Sequence, residues 1–331
     1  MARRMTLNTK LPALSRAGFA AIIGAPNAGK STLVNALVGE KVSIVTHKVQ
    51  TTRFQVRGIA MLVDREENDA QVVLVDTPGI FKAGEDDRLG RSMVHAAWSG
   101  VSDSDATIHV VDAPGYLRVL DQEPTAQDKR AFKDTERVTA GLKKREEKKA
   151  FLALNKIDEI AHDRLLEVIS AFKDSDIYRD IFLTSALNYD GIDAMKLVLA
   201  ETMPESPFLF PPDQAADIPS RLMAAEITRE KLFLRLHDEL PYASTVETEK
   251  WTRQKNGDIR IDQIIYVKRT SQKPIVLGKG GRTIRDIGAA ARQDMQEWLG
   301  TKVHLFLFVK VREGWVDDRA RYADSGLEFD V

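Results

Sequence analysis

The run GAPNAGKS, residues 24 to 31, follows directly on the apolar stretch FAAII at 19 to 23. A loop that wraps backbone N–H groups around a phosphate needs glycine where a side chain would block approach. At its end it needs a cation for the β and γ phosphates and a hydroxyl for Mg²⁺. Gly24, Gly29, Lys30 and Ser31 supply those parts, with Ala25, Pro26, Asn27 and Ala28 filling the loop and Thr32 continuing into the helix behind it. The feature constrains the fold as well as the ligand, because it works only between a buried strand and the start of a helix.

Further apolar runs fit such an architecture. FAAII, QVVLV (71 to 75), TIHVV (107 to 111), AFLAL (150 to 154) and DIFLT (180 to 184) are rich in Val, Ile, Leu and Phe. Near-continuous apolar strands belong to parallel sheets covered on both faces, and the intervening segments are long enough for crossover helices. RFQVRGIAML (53 to 62) reads as an antiparallel edge strand beside QVVLV. The charged region from Asp121 to Lys149 reads as a solvated helical face. The expected class is α/β, a mostly parallel sheet flanked by helices, over residues 17 to 204 and behind a flexible basic tail at 1 to 16.

A chain of 331 residues has room for a second domain. Pro204, Pro207, Pro211, Pro212 and Pro219 mark a stiff linker over 205 to 219. Beyond it the pattern predicts helix (220 to 239), strand (243 to 250), strand (259 to 268), a helix, helix (282 to 299) and strand (302 to 311), a small α+β domain with a C-terminal extension to 331. There is no cysteine, which rules out disulfides and thiolate metal sites. No apolar run approaches the length of a bilayer-spanning helix. The six histidines form no ligand-spaced cluster, so Mg²⁺ is the metal expected.

Three more segments close predicted strands in the first domain. Asp76-Thr77-Pro78-Gly79 follows QVVLV: Asp76 can hold Mg²⁺ through water, and the Gly79 N–H can face a γ-phosphate. Asn155-Lys156-Ile157-Asp158 follows AFLAL. Guanine offers donors at N1 and N2 that one carboxylate accepts together, whereas adenine has an acceptor at N1, so Asp158 selects guanine. Thr184-Ser185-Ala186 can present a backbone N–H to guanine O6. In this order the four signals resemble the GTPase domain of the Ras-like superfamily. That resemblance implies GTP and GDP as ligands and a γ-phosphate-sensing threonine in the loop VTHKVQTTR, with Thr52 the choice and Thr51 the fallback. It also places Ile80 where Ras-like enzymes carry a water-orienting glutamine. In GTPases with an apolar residue there, the loop asparagine, here Asn27, helps hold a monovalent cation, and potassium would take the electrostatic part of an arginine finger. The catalytic set is then Lys30, Thr52, Gly79 and Asn27.

In the second domain VLGKGGRTIRDIG (276 to 288) carries Gly278-Lys279-Gly280-Gly281 before a helix start, with Arg282 and Arg285 on its first turn. GxxG between helices lets a nucleic-acid backbone lie close to the main chain. From Arg253 to Arg312 there are 13 Lys and Arg against 5 Asp and Glu, inside a chain whose net charge is -1. The segment resembles a KH RNA-binding domain of the second type. With Gln50 to Arg53, Glu239 to Tyr242 and Gly314-Trp315, the chain from about 17 to 325 is similar to the Era family of GTPases. The resemblance implies binding to small-subunit (16S) ribosomal RNA near its 3′ end, a task in 30S subunit assembly, a monomer with no DNA partner, and a cytoplasmic location with loose membrane association. The stretch 121 to 149 is longer than the family pattern. A GTP-controlled module that grips protein or membrane, and a kinase with the same phosphate loop, are the alternatives. Trp251, Trp298 and Trp315, and the apolar face of MAAEITREKLFLRL (223 to 236), read as packing.

Overall fold

The computed structural model describes residues 15–46, 48, 52–53, 55–85, 87–145, 150–173, 175–237, 240–314, 319, 322 and 327–331. The basic tail up to residue 14, Gln50, Thr51, Glu239 and Trp315 lie outside that set. The first domain is a seven-stranded sheet in the order β6-β5-β4-β1-β3-β2-β7. Its parallel body consists of β1 (Arg16–Gly24), β3 (Asp69–Asp76), β4 (Ala106–Asp112), β5 (Ala150–Asn155) and β6 (Tyr178–Thr184). Alternation along β1 shows how both faces are covered. Ala20 and Ile22 pack with α1 (Lys30–Val38) and α6 (Ile192–Thr202), while Ala21 and Ile23 face α2 (Arg88–Ser102) and α4 (Ala126–Lys144). Farther along the sheet, α3 (Ala113–Leu120) and α5 (Leu165–Lys173) share a cluster with Leu152 and Leu154. Parallel register brings Gly24, Asp76, Asp112 and Asn155 to one edge, where open α/β sheets bind ligands.

The structure modifies three sequence expectations. β1 begins at Arg16, three residues before the apolar run, because its first turn is held by Ala17 N–H donating to Pro204 O at 3.1 Å. β2 (Val56–Val63) is antiparallel to β3 as expected but is not the edge. The two-residue β7 (Ala216–Asp217) pairs outside it, so the proline-rich linker is fastened to the first domain. Gln71, fully buried, tightens that fastening by accepting from the Leu209 and Phe210 N–H groups at 2.8 and 2.9 Å. Finally, the charged stretch contains a helix that buries a stripe of Thr135, Val138 and Leu142 instead of lying wholly in solvent. Its start is fixed by a capping box: Thr125 and Asp128 bond each other's backbone N–H, and Arg118 grips Asp128 with two bonds of 2.9 and 2.7 Å.

The second domain lays α7 (Ser220–Arg235) and α9 (Arg282–Leu299) on one face of a three-stranded sheet, with the short α8 (Lys273–Leu277) before α9. The sheet order is β10-β9-β8, with β9 (Ile259–Val267) antiparallel to β8 (Ser244–Arg253) and parallel to β10 (Val303–Val311). A parallel pair demands a crossover, and α8-α9 supplies it.

The two domains meet through the segment that follows α1. Lys41 Nζ lies 2.8 Å from Glu230 and 3.0 Å from Asp294, and the Val45 N–H donates to Glu230 at 3.2 Å. Arg53 donates to the carbonyls of Ser244 and Tyr242 at 3.0 and 3.1 Å. Beyond β10 the chain returns to the first domain, where Tyr322 and Leu327 pack with Met93 and Ala96 of α2 and with Phe81.

Candidate active site

A cavity of about 450 Å³ opens at the strand edge of the first domain. Its floor is the loop 26 to 32, its far wall is Asn155 to Glu159 with Ser185 to Leu187, and its roof is Ile44, Val45, Thr46 and Thr52. The loop turns as the sequence demands. Gly29 has φ +98, and a Cβ there would stand 2.2 Å from the Asn155 amide. Helix α1 starts immediately after, so its first N–H groups, which have no partner within the helix, face the cavity as a donor cluster for phosphate.

Lys30 is buried and donates to Ala25 O at 2.9 Å and Gly24 O at 3.3 Å. Burial pushes its pKa down to about 8 against the opposing pull of Asp76. An ammonium destabilised by burial gains from an anionic ligand that restores its charge partner. Ser31 Oγ donates to Asp76 Oδ2 at 2.7 Å and stands 3.0 Å from Thr52 Oγ1, which is 3.5 Å from the same carboxylate oxygen. Asp76 is fully buried, burial raises its pKa against the pull of Ser31, Lys30, Ser43 and Thr52, and among the described residues its Oδ1 completes no hydrogen bond of ordinary geometry. Two hydroxyls and a buried carboxylate with one oxygen left over form a donor set for a hard divalent cation that also keeps waters and phosphate oxygens, as Mg²⁺ does.

Asn155, expected among the nucleotide-binding residues, lines the cavity and also joins two of its loops. Its amide donates to Ala28 O at 3.0 Å and its oxygen accepts from the Ala186 N–H at 3.1 Å, which ties the phosphate loop to the base-side loop. Lys156, at φ 66, is paired with Asp112 and lines the cavity. Asp158 sits in a 3-10 turn and is exposed, so only a bound base would seal it from water. The Ser185 N–H already donates to Asp190 O, and Ala186 spends its own on Asn155. These bonds brace the segment expected to meet guanine O6, and Ser185 and Ala186 line the cavity wall.

Other expected residues stand behind the cavity. Thr77 Oγ1 donates to Ile22 O at 2.7 Å, and Pro78 is buried. Ile80 is fully buried in the core beside Ala21, Ile23 and Ala97, with its N–H on Gly24 O at 3.0 Å. Its side chain therefore packs the sheet and does not wall the phosphate. Gly79 lines the cavity opposite Pro26. Sequence reasoning missed Ile44 to Thr46, Gln127, Glu159 and Leu187. Gln127 carries no local signal, because its place depends on where α4 docks.

In the second domain Gly278 has φ 71, and a Cβ there would strike Thr283 Oγ1 at 2.2 Å, so the loop requires glycine. Lys279, Arg282 and Arg285 surround the start of α9 on the protein surface. Cations and orphan N–H groups at one helix start suit a phosphodiester backbone.

The fold and the cavity define a phosphate-loop GTPase domain joined to a KH domain. Residues 19–158 match the family described as 50S ribosome-binding GTPase, and residues 239–316 match the KH domain. The chain is 53% identical over 316 residues to the GTPase Era of Maricaulis maris, covering 96% of this chain and 98% of the relative. It is 52% identical to that of Caulobacter vibrioides strain NA1000, again over 96% and 98%. Two solved structures superpose with TM-scores of 0.82 at 33% identity, covering 94% of this chain and 99% of theirs. One is a tyrosine-to-alanine variant of Aquifex aeolicus Era bound to GDP·AlF4⁻; the other is Era in complex with MgGDPNP and nucleotides 1506–1542 of 16S ribosomal RNA. This chain belongs to the Era family of GTPases.

Proposed function

We propose that this protein binds small-subunit ribosomal RNA near its 3′ end through the Gly278 to Gly281 loop and acts as a GTP-dependent switch in assembly of the 30S subunit. One observation carries the reading: Lys279, Arg282 and Arg285 stand at the surface around the N-terminus of α9, in a chain similar over nearly its whole length to an Era solved with that RNA.

Catalysis of GTP hydrolysis here is positioning and charge stabilisation. Gly24 to Thr32 hold the phosphates, with Lys30 leaving its loop carbonyls for the β and γ oxygens. The Gly79 N–H meets the γ-phosphate, and Asp158 accepts from guanine N1 and N2. Ser31, Thr52 and Asp76 would hold Mg²⁺, which would supply charge neutralisation to the phosphates. Since Ile80 cannot orient water, Asn27, which lines the cavity at φ 63, is assigned to holding a potassium ion against the phosphates. The intrinsic rate is accordingly slow. Thr52 lies between the cavity and Arg53, whose side chain is fastened to the second domain, so a change in γ-phosphate occupancy is felt at the RNA-facing domain.

The protein is assigned to the cytoplasm as a monomer, with loose association to the inner membrane face. No helix among the described residues is long and apolar enough to cross a membrane. The test is RNA affinity with GTP analogue, GDP and no nucleotide, together with sequencing of RNA cross-linked to the protein in cells. Equal affinities in all three states would refute the switch, and cross-links spread without preference for the 3′ region would refute the partner.

A further inference from the structure

Ser43 is a buried hydroxyl between two buried apolar residues, Val42 and Ile44. Among the described residues its Oγ completes no hydrogen bond of ordinary geometry. Burying a hydroxyl without a partner costs free energy, so a serine in this place calls for an acceptor. The Asp76 carboxylate answers that description. The Ser43 hydroxyl is among the groups that draw the Asp76 pKa down against burial, after Ser31 and Lys30. Asp76 Oδ1 is likewise buried and completes no ordinary bond. The two groups are thus close to each other, outside ordinary bonding geometry.

The place of Ser43 is fixed from α1. Asn35 follows Ser31 by one helical turn and so lies on the same face of that helix. Its amide nitrogen donates to Ser43 O at 2.9 Å, and its oxygen accepts from the Val42 and Ser43 N–H groups, both at 2.9 Å. One face of one helix therefore sets the main chain of Ser43 and also Ser31, whose Oγ donates to Asp76 Oδ2 at 2.7 Å. Ser31 lines the nucleotide cavity, whereas Ser43 lines a small cavity next to it, walled on the far side by Met223 and Glu226 of the second domain. Thr52 lines both.

Three hydroxyls thus act on Asp76, those of Ser31, Ser43 and Thr52. Ser31 and Thr52 belong to the set that would hold Mg²⁺, and a hydroxyl whose oxygen serves a cation must orient to suit it. Ser43 acts on the carboxylate from outside the nucleotide cavity and is spared that demand. Carboxylates that serve a metal are themselves held by hydrogen bonds, and losing such a bond costs roughly 10- to 100-fold in metal affinity.

We propose that Ser43 is a positioning residue for the metal site, its hydroxyl holding the Asp76 carboxylate in place for Mg²⁺ when nucleotide is bound. The inference rests on the reading of Ser31, Thr52 and Asp76 as the metal set, and its test separates the two. Full-length native protein, Ser43→Ala, Ser43→Thr and Asp76→Asn are loaded with a fluorescent, non-hydrolysable GTP analogue, and its release is followed over a series of Mg²⁺ concentrations and in excess EDTA. Thermal melting in EDTA checks the fold of each. Ser43→Ala is expected to raise the Mg²⁺ concentration that half-maximally slows release about tenfold or more, while release in EDTA stays within about twofold of native. Ser43→Thr keeps the hydroxyl, has the small cavity beside it for the added methyl, and should need a Mg²⁺ concentration near the native one. A native Mg²⁺ requirement in Ser43→Ala, with that of Asp76→Asn raised, would overturn the role of Ser43 alone. So would release from Ser43→Ala that is accelerated as much in EDTA as in Mg²⁺, the mark of a purely structural part, or a stably folded Ser43→Thr that behaves as Ser43→Ala does. A native requirement in Asp76→Asn would overturn the metal reading beneath it.

Discussion

Lys41 and Glu230 are 189 residues apart in sequence and 2.8 Å apart in space. Burial works against the charge on Lys41, yet hydrogen bonds and attraction from Glu230 and Asp294 outweigh it and hold its pKa above the ordinary value. Glu230, itself buried, also accepts from the Val45 N–H. The segment that roofs the nucleotide cavity is thus fastened to the second domain at one end by Lys41 and at the other by Arg53. A two-state change at either domain must bias the other by the same free energy.

Removing Glu230 tests that fastening. Glu230→Ala strands the Val45 N–H and weakens the hold on Lys41, at a cost of about 1–3 kcal/mol to the interface. The ratio of RNA affinities measured with GTP analogue and with GDP is expected to move toward one, while GTP binding itself stays within about twofold. A ratio equal to that of the native protein would show that the coupling runs elsewhere.

Base selection should follow Asp158. In Asp158→Asn the amide donor opposes the guanine N2 amino group, so GTP affinity is expected to fall on the order of 100-fold. Xanthine carries a carbonyl at the corresponding position and should regain binding, because the amide can donate to it. Calorimetric titration of the variant with both nucleotides decides; unaltered preference for guanine would remove Asp158 from the base site.

Asn27 holds φ 63, a left-handed conformation that strains alanine, so Asn27→Gly is the cleaner deletion of its amide. Turnover of the native chain is expected to be about tenfold or more faster in potassium than in sodium. Asn27→Gly should lose that difference. Identical rates for both proteins in both salts would dismiss the cation.

Asp128 tests the helix in the stretch that exceeds the expected family pattern. Hydrogen bonds from Arg118 lead the effects that hold its carboxyl well below the usual range, with Thr125 adding to them and burial opposing. A carboxyl whose folded pKa is depressed contributes stability above its unfolded pKa, near 4, and loses that contribution as pH falls through the folded value. Asp128→Ala should cost about 2–3 kcal/mol near pH 7 and progressively less in acid. Urea midpoints at a series of pH values measure this, and a pH-independent cost would place the effect in packing.

Much of the nucleotide site was legible because its chemistry is local. A phosphate loop needs glycine, lysine and a hydroxyl within eight consecutive residues, and each partner segment sits at the end of a strand whose apolar run announces it. Legibility ended where a residue's role depended on its neighbours in space. Asn155 reads as one member of a nucleotide motif, and only the structure shows that it also ties two loops together. Ile80 reads as part of the site and packs the core, and Gln127 gives no sign of reaching the cavity at all.

The amino-acid order by itself determined the elements, their sequence and the chemistry of the phosphate and base segments, since periodicity and turn residues act over a few positions. Tertiary structure alone decided which carboxylate oxygen completes no ordinary hydrogen bond beside Ser31, which domain the proline-rich linker joins, and where the C-terminal segment lands. It also decided that Lys41 meets Glu230 and that Phe306 and Phe308 face water. These depend on long-range docking of helices and strands, whose register follows from how the whole core packs, and no window of sequence contains that information.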